Sequence, residues 1–62
     1  MKLIDADNRT NVFRDNNLIG YWDHETEMLY GINSKGYAVE IALISHRSDI
    51  VSSLSFWRQM AL

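Results

Sequence analysis

Two histidines, each close to acidic residues, are the side chains best suited to acid–base or metal chemistry. His24 lies between Asp23 and Glu25, and His46 lies in the segment SHRSD. In an antiparallel meander both histidines would fall at the same end of the sheet, where a metal or pH-sensing site would need them. Further ligands at a recognisable spacing are lacking, so we favour exposed turn residues and predict no metal and no cofactor.

The pentapeptide Ser45–Asp49 contains the three residue types of a catalytic triad. Triad members normally come from separate elements, and close neighbours in sequence rarely point toward one another. Ser48 instead suits the N-cap of a helix, and Asp49 would lie where the helix dipole favours a negative charge. A chain of 62 residues also has little room for a pocket of about 300 Å³ or more. We therefore predict that the protein is not an enzyme.

Two short motifs begin like ion- or phosphate-binding loops but lack essential residues. Asp5-x-Asp7 opens like an EF-hand calcium loop. The sixth position of such a loop is Gly and the twelfth is Glu, but here they are Thr10 and Asn16. The segment Gly31–Gly36 places a Lys between two glycines without the Gly-Lys-Ser/Thr order of a phosphate loop. We interpret the first motif as a side-chain-capped turn and the second as a hairpin turn.

Size, composition and charge narrow the class of protein. The 62 residues fit one small domain over 1–62, and the absence of Cys excludes disulfides and fits a reducing compartment. The N-terminal segment has one Lys and turns acidic at once, which does not fit a signal peptide. The net charge is −2, and the six basic residues are scattered, which disfavours nucleic-acid binding. We expect a cytoplasmic protein that binds no membrane.

From Leu18 to Ser45 the apolar residues alternate with period two, which predicts a three-stranded antiparallel meander. Asp23–Thr26 and Asn33–Gly36 would form its two turns. The face with the larger apolar residues is the predicted core, with Tyr30 buried at its centre. That face consists of Ile19, Tyr21, Met28, Tyr30, Ile32, Tyr37, Val39, Ile41 and Leu43.

The register of the second hairpin has two solutions. If Ile32 pairs with Tyr37, the apolar pattern continues across the third strand. The segment Asn33–Gly36 also suits a three-residue loop with a Gly bulge, which would place Glu40 beside Tyr30. We favour the first register, because a slip of one residue moves a whole strand's side chains to the other face.

The segments on either side of the meander complete the predicted α+β fold. Lys2–Ile4 fits a short N-terminal strand, and residues 5–17, rich in Asp and Asn, are predicted to form a loop. A three-four spacing of apolar residues predicts a C-terminal helix over 49–61, with a core stripe of Ile50, Leu54, Trp57 and Ala61. The alternation in residues 53–58 leaves a strand of a small SH3-like β-barrel as the alternative.

Apolar residues outside the predicted core indicate a binding function. Small residues line the second sheet face and leave Trp22 and Leu29 prominent, while Phe56 and Met60 lie beside the helix stripe. We therefore predict a non-enzymatic protein-interaction module of adaptor or inhibitor type, alone or as a homodimer, with these four residues as contacts. The alternative is a nucleic-acid-binding module that uses sheet aromatics as stacking platforms. No motif longer than a few residues matches a known family pattern.

Overall fold

The computed structural model describes residues 1–60, which form an antiparallel sheet and a C-terminal helix. The sheet order is β1-β2-β3-β4-β5, so each strand pairs with the next one along the chain. The α+β class is therefore confirmed, but the sheet has five strands instead of three and is open, not a closed SH3-like barrel. The elements are β1 (Lys2–Asp5), β2 (Arg9–Arg14), β3 (Asn17–Asp23), β4 (Met28–Ile32), β5 (Ala38–Leu43), a 3₁₀ turn (Arg47–Asp49) and α1 (Ile50–Met60).

The predicted loop over residues 5–17 is wrong, because β2 and the start of β3 lie within it. Asp15 and Asn16, which connect β2 to β3, have φ angles of 51° and 67°. Positive φ at both central residues is the property of the tight hairpin turns whose twist matches that of the flanking strands, and Asp and Asn tolerate it. Asp15 and Asn16 therefore connect two strands instead of interrupting regular structure.

The favoured register of the second hairpin is also wrong, and the alternative is confirmed. Ile32 pairs with Ala38, and Tyr30 lies opposite Glu40. The Asn33 side chain accepts hydrogen bonds from the backbone N–H groups of Lys35 (3.0 Å) and Tyr37 (2.9 Å). These bonds and the one from the Asn33 N–H to the Tyr37 C=O (2.8 Å) hold the three-residue loop, so turn chemistry sets the pairing.

The first hairpin pairs two residues away from the predicted register. Tyr21 lies opposite Tyr30, and Trp22 lies opposite Leu29. A shift of two residues keeps every side chain on its predicted face. The predicted division into two faces therefore holds for β4 and for the part of β3 from Gly20 onward. Ile19, predicted on the tyrosine face, lies at a β-bulge and is buried in the core, and the choice of which face is covered is wrong.

Helix α1 covers the face that was predicted to be the outer one. Gly20 and Gly31 are paired across β3 and β4 on this face. A Cβ at Gly31 would overlap the indole of Trp57. A Cβ at Gly20 would lie 2.5 Å from the backbone oxygen of Tyr30 and 3.1 Å from Cδ2 of Leu54. The two glycines thus give the large side chains of the helix room to approach the sheet. The buried core lies between these layers and consists of Val12, Ile19, Leu29, Ile44, Ile50 and Leu54.

The predicted helix is confirmed, with a different start from the one expected. Ser48 lies inside the 3₁₀ turn, and His46 occupies the N-cap position without a side-chain hydrogen bond. Ile50 and Leu54 are buried and Trp57 packs against the core, while Ala61 lies outside the described residues. Among residues 1–60, no helix is long and apolar enough to cross a membrane.

Candidate protein interface on the open sheet face

Of the four predicted contact residues, Leu29 belongs to the core and Trp22 is partly buried against it. Leu29 is 0% exposed beneath the helix. The indole N–H of Trp22 donates to the backbone C=O of Ile44 (3.0 Å) and of Glu27 (3.1 Å), which holds the ring inward. Leu29 therefore presents no surface in this chain, while Trp22 is held against the core and only part of its ring is exposed.

The other two predicted contacts, Phe56 and Met60, are on the surface of the helix. Their exposed fractions are 64% and 70%, and they lie one helical turn apart. The structure therefore separates this pair from Trp22 and Leu29, which are cross-strand neighbours on the covered face.

The face of the sheet opposite α1, here called the open face, carries the larger set of uncovered apolar side chains. Ile4 is 44% exposed and Leu43 is 70% exposed, and the tyrosines between them are half-buried. Strand alternation and the observed registers place the following residues on it: Ile4, Arg9, Asn11, Phe13, Tyr21, Met28, Tyr30, Glu40 and Leu43. The sequence placed Tyr21, Met28, Tyr30 and Leu43 on one face correctly, but the assignment of that face as the core was wrong. Its other predicted members Ile19 and Ile41 lie in or against the core, and Val39 pairs with Gly31 on the covered face.

Tyr21, Tyr30 and Glu40 lie side by side across the centre of the open face, and Arg9 reaches the row diagonally from the next pair along β2 and β3, where it lies opposite Asp23. The rings of Tyr21 and Tyr30 are stacked, with centroids 4.8 Å apart and planes at 26°. The guanidinium carbon of Arg9 lies 4.3 Å from the Tyr21 centroid, and Glu40 lies opposite Tyr30 on β5. A cation thus lies at one end of the tyrosine pair and a carboxylate at the other.

The charge pattern of this row acts on Tyr30. Burial raises the pKa of the Tyr30 phenol above its usual value, and the nearby Glu40 carboxylate raises this pKa further. Both effects disfavour a second negative charge at this end of the row. On the open face Arg9 therefore lies beside Tyr21 and opposite the Asp23 carboxylate, while Glu40 lies beside Tyr30.

Asn11 lies between Ile4 and Tyr21 on the same face. Its side-chain Oδ1 is buried and has no hydrogen-bond partner among the described residues. A buried polar group left unpaired costs about 1–3 kcal/mol. The open face therefore carries a polar group that weakens the isolated fold.

A cluster of hydrogen-bonded polar side chains, here called the polar cluster, lies at the end of the sheet that contains His24. The Thr10 hydroxyl is buried; it donates its proton to Oδ1 of Asp5 (2.7 Å) and must therefore accept from Nε2–H of His24 (2.8 Å). Nε of Arg47 also donates to Asp5 (3.2 Å). The Thr10 hydrogen bond, followed by that from Arg47, lowers the pKa of Asp5.

This polar cluster joins β1, β2, the β3–β4 turn and the segment before α1, so its geometry is that of a structural clasp. Thr10 is fully buried and cannot reach a substrate. In residues 1–60, no three His, Asp or Glu side chains are placed to hold a metal ion. Asp23 caps its own turn by accepting from the N–H groups of Glu25 (2.9 Å) and Thr26 (3.1 Å), and these bonds lower its pKa.

No protein-family model matches the chain, and comparisons with curated proteins and with solved structures give no match either. The protein is therefore described by its fold alone. The fold is an open five-stranded antiparallel sheet that a helix covers on one face and that carries stacked tyrosines on the other.

Proposed function

We propose that the chain is a small non-enzymatic protein-interaction module, of adaptor or inhibitor type, that binds a partner protein through its open face. The observation that carries this proposal is the aromatic and apolar row on a face that no described element covers. Tyr, Phe, Met and Arg are the residue types enriched in protein interfaces, and all four occur on this face. The exposed Phe56 and Met60 are proposed as a second, smaller contact on the helix.

The ionisable groups support a binding role rather than a catalytic one. A shallow depression of about 420 Å³ lies between the strand ends and the helix, and Arg58 is the ionisable side chain that lines it. A second depression of about 340 Å³ is lined by Asp7, Asp23, His24 and Glu25. Asp23 is bonded to its own turn and His24 to Thr10, so neither supplies the positioned proton donor or acceptor that an acid–base mechanism needs. The polar cluster at Thr10 is occupied by its own hydrogen bonds.

Capture of partners from the native host tests the proposal. Leu43→Lys places a charge on the open face at a side chain that is 70% exposed, so the fold should tolerate it. Tyr37→Lys is the matched control, because Tyr37 is 69% exposed and lies outside the open face. A partner that the parent and the Tyr37 variant retain but the Leu43 variant loses would support the proposal. A partner retained equally by all three chains would place binding elsewhere and overturn it.

A nucleic-acid-binding module is the second candidate, and the exposed position of the tyrosine pair favours it. Bases can stack on aromatic side chains of a sheet, and the Arg9 guanidinium beside Tyr21 could meet a phosphate. Glu40 and the net charge of −2 disfavour it, because phosphates would be repelled. Titration with single-stranded DNA and RNA at two salt concentrations separates the candidates. Binding that weakens steeply with salt and is lost in Tyr21→Ala would favour this second function.

We also propose that the protein acts in the cytoplasm. The chain contains no Cys, so its fold needs no oxidising compartment. Compartment-specific labelling of the tagged chain in its host is the direct test, and recovery in an oxidising compartment would contradict it.

A further inference from the structure

The fold gathers basic residues that are scattered along the chain. The antiparallel strand order brings the start of β1, the β2–β3 turn and the β4–β5 turn to one end of the sheet, where α1 also ends. Four of the six basic residues lie at this end, here called the basic end: Lys2, Arg14, Lys35 and Arg58. Six of the eight acidic residues lie at the opposite end: Asp5, Asp7, Asp23, Glu25, Glu27 and Asp49. A molecule with a net negative charge therefore still presents a positive surface at one end.

Two of these cations share one depression at the basic end. Arg14 ends β2 and Arg58 lies in the last turn of α1, and both line a depression of about 450 Å³ with Met1, Ser55 and Gln59. Among the described residues that line it there is no carboxylate, and within residues 1–60 neither arginine takes part in a salt bridge. The Ser55 hydroxyl donates to the thioether of Met1 at 3.8 Å, which is a weak acceptor. The lining thus offers two guanidinium groups, a hydroxyl and an amide to an anion.

These groups fit the chemistry of a phosphate. A guanidinium presents its N–H groups as a planar fork that matches two oxygens of a phosphate or a carboxylate. A phosphate carries about −1.5 to −2 charges at pH 7, so it can satisfy two guanidinium groups at once, whereas one carboxylate carries a single charge. The carboxyl end of α1 contributes roughly half a negative charge, which offsets only part of one cation.

We infer that the depression between Arg14 and Arg58 binds a phosphate group, held by the two guanidinium groups and by donation from Ser55 and Gln59. The site lies at the basic end on the helix side of the sheet, apart from the open face, so it does not rest on the proposed function. It also differs from the contact proposed for Phe56 and Met60, because the depression takes a small anion and not a protein surface.

The phosphate has two possible sources, the free ion or a small organic molecule that carries it. Arg58 also lines the neighbouring depression of about 420 Å³, whose wall includes Ile32 and Trp57. An organic group attached to the phosphate would lie against this apolar wall. Phenyl phosphate and inorganic phosphate separate the two sources, because only the first can contact Trp57.

Titration of the whole chain followed by ¹H–¹⁵N NMR tests the site, with sodium chloride holding the ionic strength constant. Both ligands should shift the signals of Arg14, Ser55, Arg58 and Gln59, with a dissociation constant of about 1–10 mM for inorganic phosphate, because the two contacts are partly exposed. If the ligand is an organic phosphate, phenyl phosphate should bind about fivefold more tightly and shift the Trp57 indole signal. Equal affinities without a Trp57 shift would identify the free ion as the ligand.

Charge removal at the two arginines tests the geometry. Arg14→Gln and Arg58→Gln should each weaken phosphate binding by about fivefold or more, because each loses one charged fork. Arg58→Lys keeps the charge without the fork and should lie between the parent and Arg58→Gln. Lys35→Gln is the matched control, since it makes the same charge change at the basic end but outside the depression lining, and its affinity should stay within about twofold of the parent because salt screens distant charges.

The folding of each variant is read from the same NMR spectra. Arg14 is exposed and its substitution should leave the fold intact, so Arg14→Gln decides the test even if the half-buried Arg58 cannot be replaced. Three results would overturn the inference: no shift of the lining residues at about 50 mM phosphate, an Arg14→Gln variant that binds as the parent does, or a Lys35→Gln variant that loses as much affinity as Arg14→Gln. The last result would mean that phosphate responds to the overall charge of the basic end and not to this depression.

Discussion

Replacing Gly31 by Ala should destabilise the fold, because the new methyl group would occupy space that the indole of Trp57 fills. Three ring atoms of Trp57 lie within 2.7 Å of the position of that Cβ. The nearest atoms belong to a half-buried ring packed against the core, so the helix must shift or the ring must leave its site. This substitution therefore tests directly which face of the sheet the helix covers.

The expected cost follows from two opposing effects. Overpacking of a closely packed core costs about 1–3 kcal/mol. Replacing a glycine within a strand recovers about 0.5–1 kcal/mol of backbone entropy, which leaves a net loss of about 1–2 kcal/mol. A domain of this size has a total stability of only about 3–5 kcal/mol. The melting temperature should therefore fall by about 4–16 °C, since each kcal/mol shifts it by about 4–8 °C in small domains.

Thermal and urea unfolding of Gly31→Ala in two backgrounds measures this cost. In a Trp57→Leu background the ring is absent, and the Gly31 substitution should lie within about 0.5 kcal/mol of neutral. Gly36→Ala is the control, because Gly36 has a φ of 87° and nothing near its missing Cβ, so its cost should be the same in both backgrounds. If Gly31→Ala melts at or above the parent temperature, the helix does not pack over Gly31 and the choice of covered face is wrong.

Four further measurements address the polar cluster and the two sheet faces. Thr10→Val should cost about 1–2 kcal/mol in urea unfolding, because it removes a buried hydroxyl and both of its hydrogen bonds; an unchanged midpoint would contradict the clasp. The lowered pKa of Asp5 adds stability above the usual carboxyl pKa, and this stability is lost as pH falls through the folded value. Asp5→Asn should therefore flatten the acid side of the stability profile. Asn11→Val should stabilise the fold by about 1 kcal/mol or more, since it removes an unpaired buried oxygen, and a lower melting temperature would mean that the amide is paired. Leu29→Ala should cost about 2–5 kcal/mol and Tyr30→Ala clearly less, which reverses the order predicted if Tyr30 formed the core.

Sequence reasoning predicted well the strands and the helix whose apolar residues follow a regular repeat. Period two located β3, β4 and β5, and a three-four spacing located α1, because each pattern reflects a single geometric repeat. The exposure of Phe56 and Met60 follows from the same helical spacing. Where a repeat extends over several residues, one misplaced side chain does not change the interpretation.

The errors came from choices that alternation alone does not make. It separates two sheet faces, but which one is covered depends on the shape of the covering element. A helix that carries Trp57 and Leu54 needs a shallow surface, which Gly20 and Gly31 supply. The tyrosine face is more apolar, but its large side chains would keep the helix too far from the sheet backbone for close packing. A pair of small residues opposite one another on adjacent strands was the signal that would have identified the helix-covered face.

Local turn chemistry explains the remaining errors. Asp15 and Asn16 were interpreted as breakers, yet their positive φ angles make them the connection of a hairpin. The Asn33 side chain sets the second hairpin by bonding two backbone N–H groups, against the apolar pattern of the following strand. At the second hairpin, two hydrogen bonds therefore outweigh an alternation that extends over a whole strand.

The two faces of the sheet divide stability from the proposed binding. Burial against α1 involves small residues on the sheet and large ones on the helix, so the fold holds its core without using the tyrosine row. On the open face, Tyr21 and Tyr30 stack on each other. This stacking shields part of each ring and leaves the rest exposed for contact with a partner. Substitutions at the exposed edge of the open face, such as Leu43→Lys, should therefore change association with little loss of stability. Substitutions beneath the helix should do the reverse, because a chain this small has no second core to compensate for the first.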